Sequence, residues 1–154
     1  MKRTLPFDVV SPMTVMAEAF REGRLKLKKH HYTEPVTFQD SCNFVRNGGN
    51  FKDARLLMGQ VAGDFREMHP GGVHTYCCGS GGGHGLMSEY KKLRLATAKA
   101  KAEAIRRTGA KVVVVACHNC EDGIRDCVKE YGLDCEVHLL SNYLAEAVEL
   151  GGAS

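Results

Sequence analysis

Tryptophan is absent from the 154-residue sequence, and its net charge is only +3. No apolar run approaches the roughly 20 residues that a membrane-spanning helix needs. The basic N-terminus "MKRTLPFDVV" is followed by neither an apolar core nor a small-residue cleavage site, so no secretory signal is expected. Internal repeats and low-complexity linkers are also missing. A phosphate-binding loop is excluded by register. The sixth position of a G-x-G-x-x-G begun at Gly79, Gly81 or Gly83 is His84, Leu86 or Ser88, and no G-x-x-x-x-G-K-[ST] occurs. Positive charge clusters in one place, Arg24, Lys26, Lys28 and Lys29 beside His30 and His31. Without interleaved aromatics it reads as a solvated helix end or loop, and no nucleic-acid partner is expected. What remains is one globular domain, 44% apolar and 25% charged, expected in the cytoplasm without a membrane span.

Seven cysteines are present. An odd number with no route to an oxidising compartment points to reduced thiols, metal ligands or redox thiols rather than a disulfide framework. Their placement depends on the elements around them. Ser11 and Pro12 read as the cap and first residue of a helix running to Gly23. Residues 35–40 (PVTFQD) read as a strand, 51–61 as a helix, 64–68 as a strand, and "VHTYCC" (73–78) as a strand ending at the cysteine pair. Residues 86–108 read as one long helix with Leu93, Ala96, Ala100 and Ala104 along one face, closed by Gly109. The run "KVVVVAC" carries four consecutive valines, as a strand buried on both faces would. A helix at 121–131, a strand "CEVHLL" and a helix "SNYLAEAVEL" capped by Ser141 complete the chain.

Strands alternating with helices predict a Rossmann-like α/β fold, a mostly parallel sheet with helices on both faces. In such sheets ligands collect at the carboxyl ends of the strands. Cys42, the Cys77–Cys78 pair and Cys117 are all expected at strand ends, and Cys120 at a helix start, so five thiols should meet at one sheet edge. Cys127 and Cys135 fall mid-helix and at a strand start and read as buried structural thiols.

Three chemistries suit such a set. A closed zinc site can use Cys117-x-x-Cys120, but it takes four ligands and finds only an adjacent pair as its other half. A dithiol redox site can use the same C-x-x-C at a helix start, leaving Cys42, Cys77 and Cys78 unused. A polynuclear cluster suits adjacent thiols, because each can reach a different metal. It also gives the glycine run a role: bare backbone admits a bulky inorganic group and donates N–H bonds to its sulfurs.

The spacing Cys42, 34 residues, Cys77-Cys78-Gly79, 37 residues, Cys117-x-x-Cys120 resembles the cysteine-rich CCG domain of the heterodisulfide reductase catalytic subunits and of related membrane-complex subunits of sulfate reducers. "PVTFQDSCNFVR" and "GAKVVVVACHNC" are similar to that family's two cysteine-bearing strand ends. The resemblance covers residues 34–150. It implies an iron–sulfur redox module holding a noncubane [4Fe-4S] cluster on Cys42, Cys77, Cys78, Cys117 and Cys120. Gly79, Gly81 and Gly82 would line that cluster, and zinc or an empty site would be found in an aerobic preparation. It implies electron transfer to a disulfide or thiol substrate, with ferredoxin-like or membrane-complex redox subunits as partners. The sequence has one such motif, lacks a C-x₂-C-x₂-C-x₃-C run, and places His118 where many relatives have proline. It is therefore expected to act as a domain or half of a larger assembly, with residues 1–33 as an N-terminal helix and connector and 34–154 as the cysteine-rich domain. His84 and His118 are candidate catalytic groups, donating to cluster sulfur or protonating a leaving thiolate.

Overall fold

The computed structural model describes residues 6–150; the outer ends of the two expected segments, 1–5 and 151–154, lie outside the described residues. The chain runs α1 (Pro12–Arg21), β1 (Tyr32–Gln39), α2 (Lys52–Val61), β2 (Ala62–Phe65), α3 (Lys91–Thr97), α4 (Lys99–Thr108), β3 (Val112–Val115), α5 (His118–Glu130), β4 (Glu136–Leu139) and α6 (Leu140–Ala147).

The four valines of β3 organise the fold. Consecutive strand residues face opposite sides, and all four are buried. Val112 and Val114 join Val36, Phe38, Ala17, Leu57, Met58, Leu140 and Leu144 in one core layer under α1, α2 and α6. Val113 and Val115 join Ile105, Cys120, Ile124 and Val137 in a second layer under α4 and α5. Each buried valine or leucine contributes roughly 1.5–3 kcal/mol by leaving water. The expected α/β fold with helices on both faces is thus observed.

All strand pairs are parallel and the order is β2-β1-β3-β4. From β1 the chain steps outward to β2, then crosses back over β1 to β3 and β4. The direction of winding therefore reverses between β1 and β3, whose ends are aligned by the pairing of Gln39 with Val115. That crevice is where an open α/β sheet collects its ligand. No helix among the described residues is long and apolar enough to cross a membrane.

Several elements differ from the sequence expectation. Residues 73–78 form no strand. Gly72 has φ +56°, a 3₁₀ turn spans Gly72–His74, and the chain is irregular through the cysteine pair. The cause is long-range: side chains from other elements take the backbone groups that a sheet ladder would use. The strand expected at 64–68 lies at Ala62–Phe65, because α2 runs into it without a loop. The expected helix 86–108 begins with a 3₁₀ turn at Ser88–Tyr90 and breaks at Ala98. Its expected apolar face is largely displaced: Ala104 is buried as expected, but Leu93, Ala96 and Ala100 are exposed, and Leu95, Ala98, Lys101, Ala102 and Ile105 are buried. In this alanine-rich stretch small residues recur at helical spacing on more than one face. The helix expected at 121–131 starts at His118, with Cys117 as its cap residue. Ser141 is not a cap, because β4 passes directly into α6. The Ser11 cap, bonded to the Met13 N–H at 3.2 Å, and the left-handed Gly109 closing α4 are as expected.

Candidate metal centre

Two of the three expected strand ends carry their cysteines to the β1/β3 crevice. Cys42 follows β1 and opens a short π-helical turn, Asn43–Asn47. Cys117 follows β3 and caps α5, and Cys120 is buried in that helix's first turn. The Cys77–Cys78 pair arrives on the irregular loop instead.

Side chains from the Cys42 segment hold that loop in place. Asp40, buried at the end of β1, accepts a bond from the Gly72 N–H at 2.6 Å. Both of its oxygens also accept from Arg55, one of them at 2.7 Å, and Arg55 pairs with Glu67 as well. Burial alone would depress the Arg55 pKa, but its bonds to Asp40 and Glu67 raise it, so the guanidinium is a fixed charge. Arg46 donates to the Val73 carbonyl at 2.8 Å and to the Thr75 carbonyl. Gln39 donates to the Tyr76 carbonyl at 3.4 Å. One short segment, residues 39–46, thereby fixes the approach to Cys77 from three points.

The sulfurs then form a line of contacts. Cys42 Sγ lies 4.0 Å from Cys77 Sγ. Cys77 is exposed and accepts from the Gly79 N–H at 3.3 Å. Cys78 is buried, 3.9 Å from the Asn119 carbonyl and against the Cys120 thiol. Adjacent cysteines thus reach different partners. All seven cysteines are free. Contact with Cys120, then burial, pushes the Cys78 thiol up to about 11. Contact with Cys78, then burial, raises Cys77, and burial followed by Cys77 raises Cys42. Cys117 packs against the same buried layer as Cys78 and Cys120. Among the described residues no three Cys, His, Asp or Glu side chains close on one ion position. Ser41, next to Cys42 in sequence, is buried with its hydroxyl unpartnered among the described residues.

The glycines divide into two kinds. Gly79 has φ +81°, and a Cβ there would lie 2.9 Å from Arg94 Cγ. Arg94 is itself buried beneath the loop, donating to Ser80 Oγ at 3.2 Å and pairing with Asp126 of α5. Gly81 and Gly82 are exposed; Gly81 has open space where a Cβ would stand, and Gly82 has only the His84 ring nearby. His84 contacts the Gly81 carbonyl at 3.0 Å and packs edge-on against Tyr90. His118 is exposed and faces Glu121 at 3.4 Å and Asp122 at 3.8 Å. Both histidines therefore have partners within their own segments. Cys127 is buried against the Ala98 carbonyl, away from the sulfur line.

Several residues around the site escaped sequence reasoning, Arg55 and Arg94 among them, and two more show why. Gly123 lies inside α5, where a Cβ would stand 2.5 Å from Ser80 Oγ and 2.9 Å from the Cys78 carbonyl oxygen. Its signal was a glycine in a helix interior, which marks a close approach. Lys101 is fully buried in α4, and a lysine in an amphipathic pattern gives no such signal.

These observations agree with comparisons to known proteins. A family model described as a cysteine-rich domain, CCG, matches residues 36–125, a span holding all five site cysteines. A dihydromethanophenazine:CoB–CoM heterodisulfide reductase subunit of Methanosarcina mazei is 27% identical over 95% of this chain and 35% of its own length. A CoM/CoB fumarate reductase subunit of Methanothermobacter marburgensis is 33% identical over 64% of this chain and 19% of its own. An Hdr-like menaquinol oxidoreductase iron–sulfur subunit of Archaeoglobus fulgidus is 31% identical over 53% of this chain and 16% of its own. The chain thus spans about a third or less of each relative. With the motif matched across more than half of the chain and its cysteines gathered at the β1/β3 crevice, this protein belongs to the cysteine-rich CCG domain family.

Proposed function

We propose that this chain is an iron–sulfur redox module of the heterodisulfide-reductase type, working in the cytoplasm as part of a larger redox assembly. Cys42, Cys77, Cys78, Cys117 and Cys120 would hold a [4Fe-4S] cluster, noncubane by the family resemblance. When bound, that group supplies one-electron chemistry toward a disulfide or thiol substrate. The observation that carries the reading is the approach of Cys42 Sγ to Cys77 Sγ at 4.0 Å beside Cys78, which shares a buried layer with Cys120 and Cys117.

The chain's own residues position the ligands. Asp40, Arg46 and Arg55 set the Cys42–Cys77 spacing through backbone groups of residues 72–75. Gly123 lets α5 bring Cys120 against Cys78. The Gly79 N–H donates to a ligand sulfur, which favours the thiolate form. Cys77 and the glycine run lie on the surface, so the centre faces outward, where a redox partner or a thiol substrate can approach. Partner subunits are expected among ferredoxin-like or membrane-complex redox proteins.

Anaerobic purification followed by iron and acid-labile sulfide analysis tests this directly. Iron and sulfide in matching amounts, with an EPR signal on one-electron change, is the expected result. A chain that takes up no iron on anaerobic reconstitution but binds one equivalent of zinc overturns it.

A further inference from the structure

Lys101 is the bulkiest of the fully buried side chains, with no measurable exposure. Its ammonium donates to Thr75 Oγ1 at 3.1 Å and lies 3.5 Å from Met68 Sδ, with the Tyr76 ring 6.0 Å away. Among the described residues no carboxylate is within ion-pair distance of it. A buried charge with only neutral partners is costly, and methionine would fill the same space without that cost. Two of its neighbours lead to the sulfurs. Thr75 is two residues from Cys77, and Met68 shares a buried layer with Cys78 and Cys120.

We propose that Lys101 is the internal counter-cation of the metal centre. It is a positioning residue that places a positive charge against Met68, in the buried layer that Met68 shares with Cys78 and Cys120, and raises the centre's reduction potential. This rests on the iron–sulfur reading above. Thiolate ligands give such a centre negative charge, and each electron added increases it. The acidic groups that act on Lys101 are Asp40, Cys120, Cys78 and Cys127. Asp40 is already neutralised by Arg55. Cys127 is pushed up to about 11 by burial, so it remains a thiol at neutral pH. In the metal-free chain burial therefore dominates and lowers the lysine to about 8. With the centre loaded, Cys78 and Cys120 would be held as thiolates, and their negative charge would offset the buried ammonium.

The test compares Lys101→Met and Lys101→Arg with the wild type in two states. The first readout is urea unfolding of the metal-free chain against pH. Folding depresses the lysine pKa, so between about 8 and about 10.4 the lysine makes a contribution to wild-type stability that rises with pH, against the opposite contribution of the buried thiols, and the difference from the variant isolates it. Lys101→Met is expected to lose this rise and to be at least as stable at pH 7. The second readout is a dithionite titration of the anaerobically reconstituted chain followed by EPR. One electron passes from dithionite to the centre, and no bond in the chain forms or breaks. Lys101→Met is expected to shift the midpoint potential downward, and Lys101→Arg to keep it near the wild-type value. A loaded Lys101→Met with the wild-type potential overturns the proposal and leaves the cluster reading intact. A wild type that takes up no iron overturns the cluster reading and the proposal with it. Lys101→Met less stable than wild type at pH 7, or unable to fold, makes the lysine an ordinary structural residue and overturns the proposal. A stabilised variant upholds the uncompensated charge.

Discussion

Replacing Gly123 by alanine tests whether α5 must touch the cysteine loop. In an open helix the change stabilises by roughly 0.5–1 kcal/mol, because glycine loses the most backbone freedom on folding. Gly59 of α2 is such an open position, exposed and with nothing within 4 Å of a new Cβ. At Gly123 the same Cβ would lie 2.5 Å from Ser80 Oγ and 2.9 Å from the Cys78 carbonyl oxygen. The hydroxyl can rotate away, but the carbonyl is backbone and belongs to Cys78, a proposed metal ligand. Relieving that contact moves α5 and the loop apart, and overpacking of this kind costs about 1–3 kcal/mol. Gly59→Ala is therefore expected to gain about 0.5–1 kcal/mol in urea unfolding of the metal-free chain, and Gly123→Ala to lose about 1–2 kcal/mol. The two substitutions share their chemistry and helix context, so their difference isolates the close approach. Gly123→Ala should also lower iron uptake on reconstitution, since it separates Cys78 from Cys120. A Gly123→Ala chain as stable as Gly59→Ala, with full iron uptake, would refute the packing argument.

Asp40→Asn leaves Arg55 only Glu67 as a charged partner and weakens the hold on the Gly72 N–H; a loss of about 2–3 kcal/mol in urea unfolding is expected, with reduced iron uptake. Cys127→Ala should cost about 1–2 kcal/mol of stability yet keep the wild-type iron content, whereas Cys42→Ala should lose iron with little change in metal-free stability. Burial works against the Asp53 carboxylate, but bonds from Asn50, Arg21 and Thr14 prevail and hold it below the ordinary range. Its contribution is therefore complete above the unfolded value near 3.9 and lost as pH falls through the folded one, so Asp53→Asn should destabilise the chain at pH 7 and flatten its acid-unfolding limb.

What local pattern encodes was legible in the sequence, and what distant side chains impose was not. Four consecutive valines can be buried only between two layers, so β3 and the placement of Cys117 at its end followed from local chemistry. Cys42 at the end of β1 followed in the same way. The loop carrying Cys77 and Cys78 did not, although its valine, threonine and tyrosine favour a strand. Gly72, Val73, Thr75 and Tyr76 give backbone groups to Asp40, Arg46 and Gln39, more than 25 positions away in sequence. Such bonds leave no periodic trace. Lys101 was hidden for a related reason, because an alanine-rich helix with displaced phase makes its buried face look solvated. The two unread features meet at one place. Thr75 is held through its carbonyl by Arg46 of the Cys42 segment, and its hydroxyl accepts the Lys101 ammonium. A single residue thereby ties the spacing of Cys42 and Cys77 to the position of the buried charge. A change at Thr75 should disturb ligand geometry and local electrostatics together, whereas changes at Arg46 or Lys101 alone should separate them.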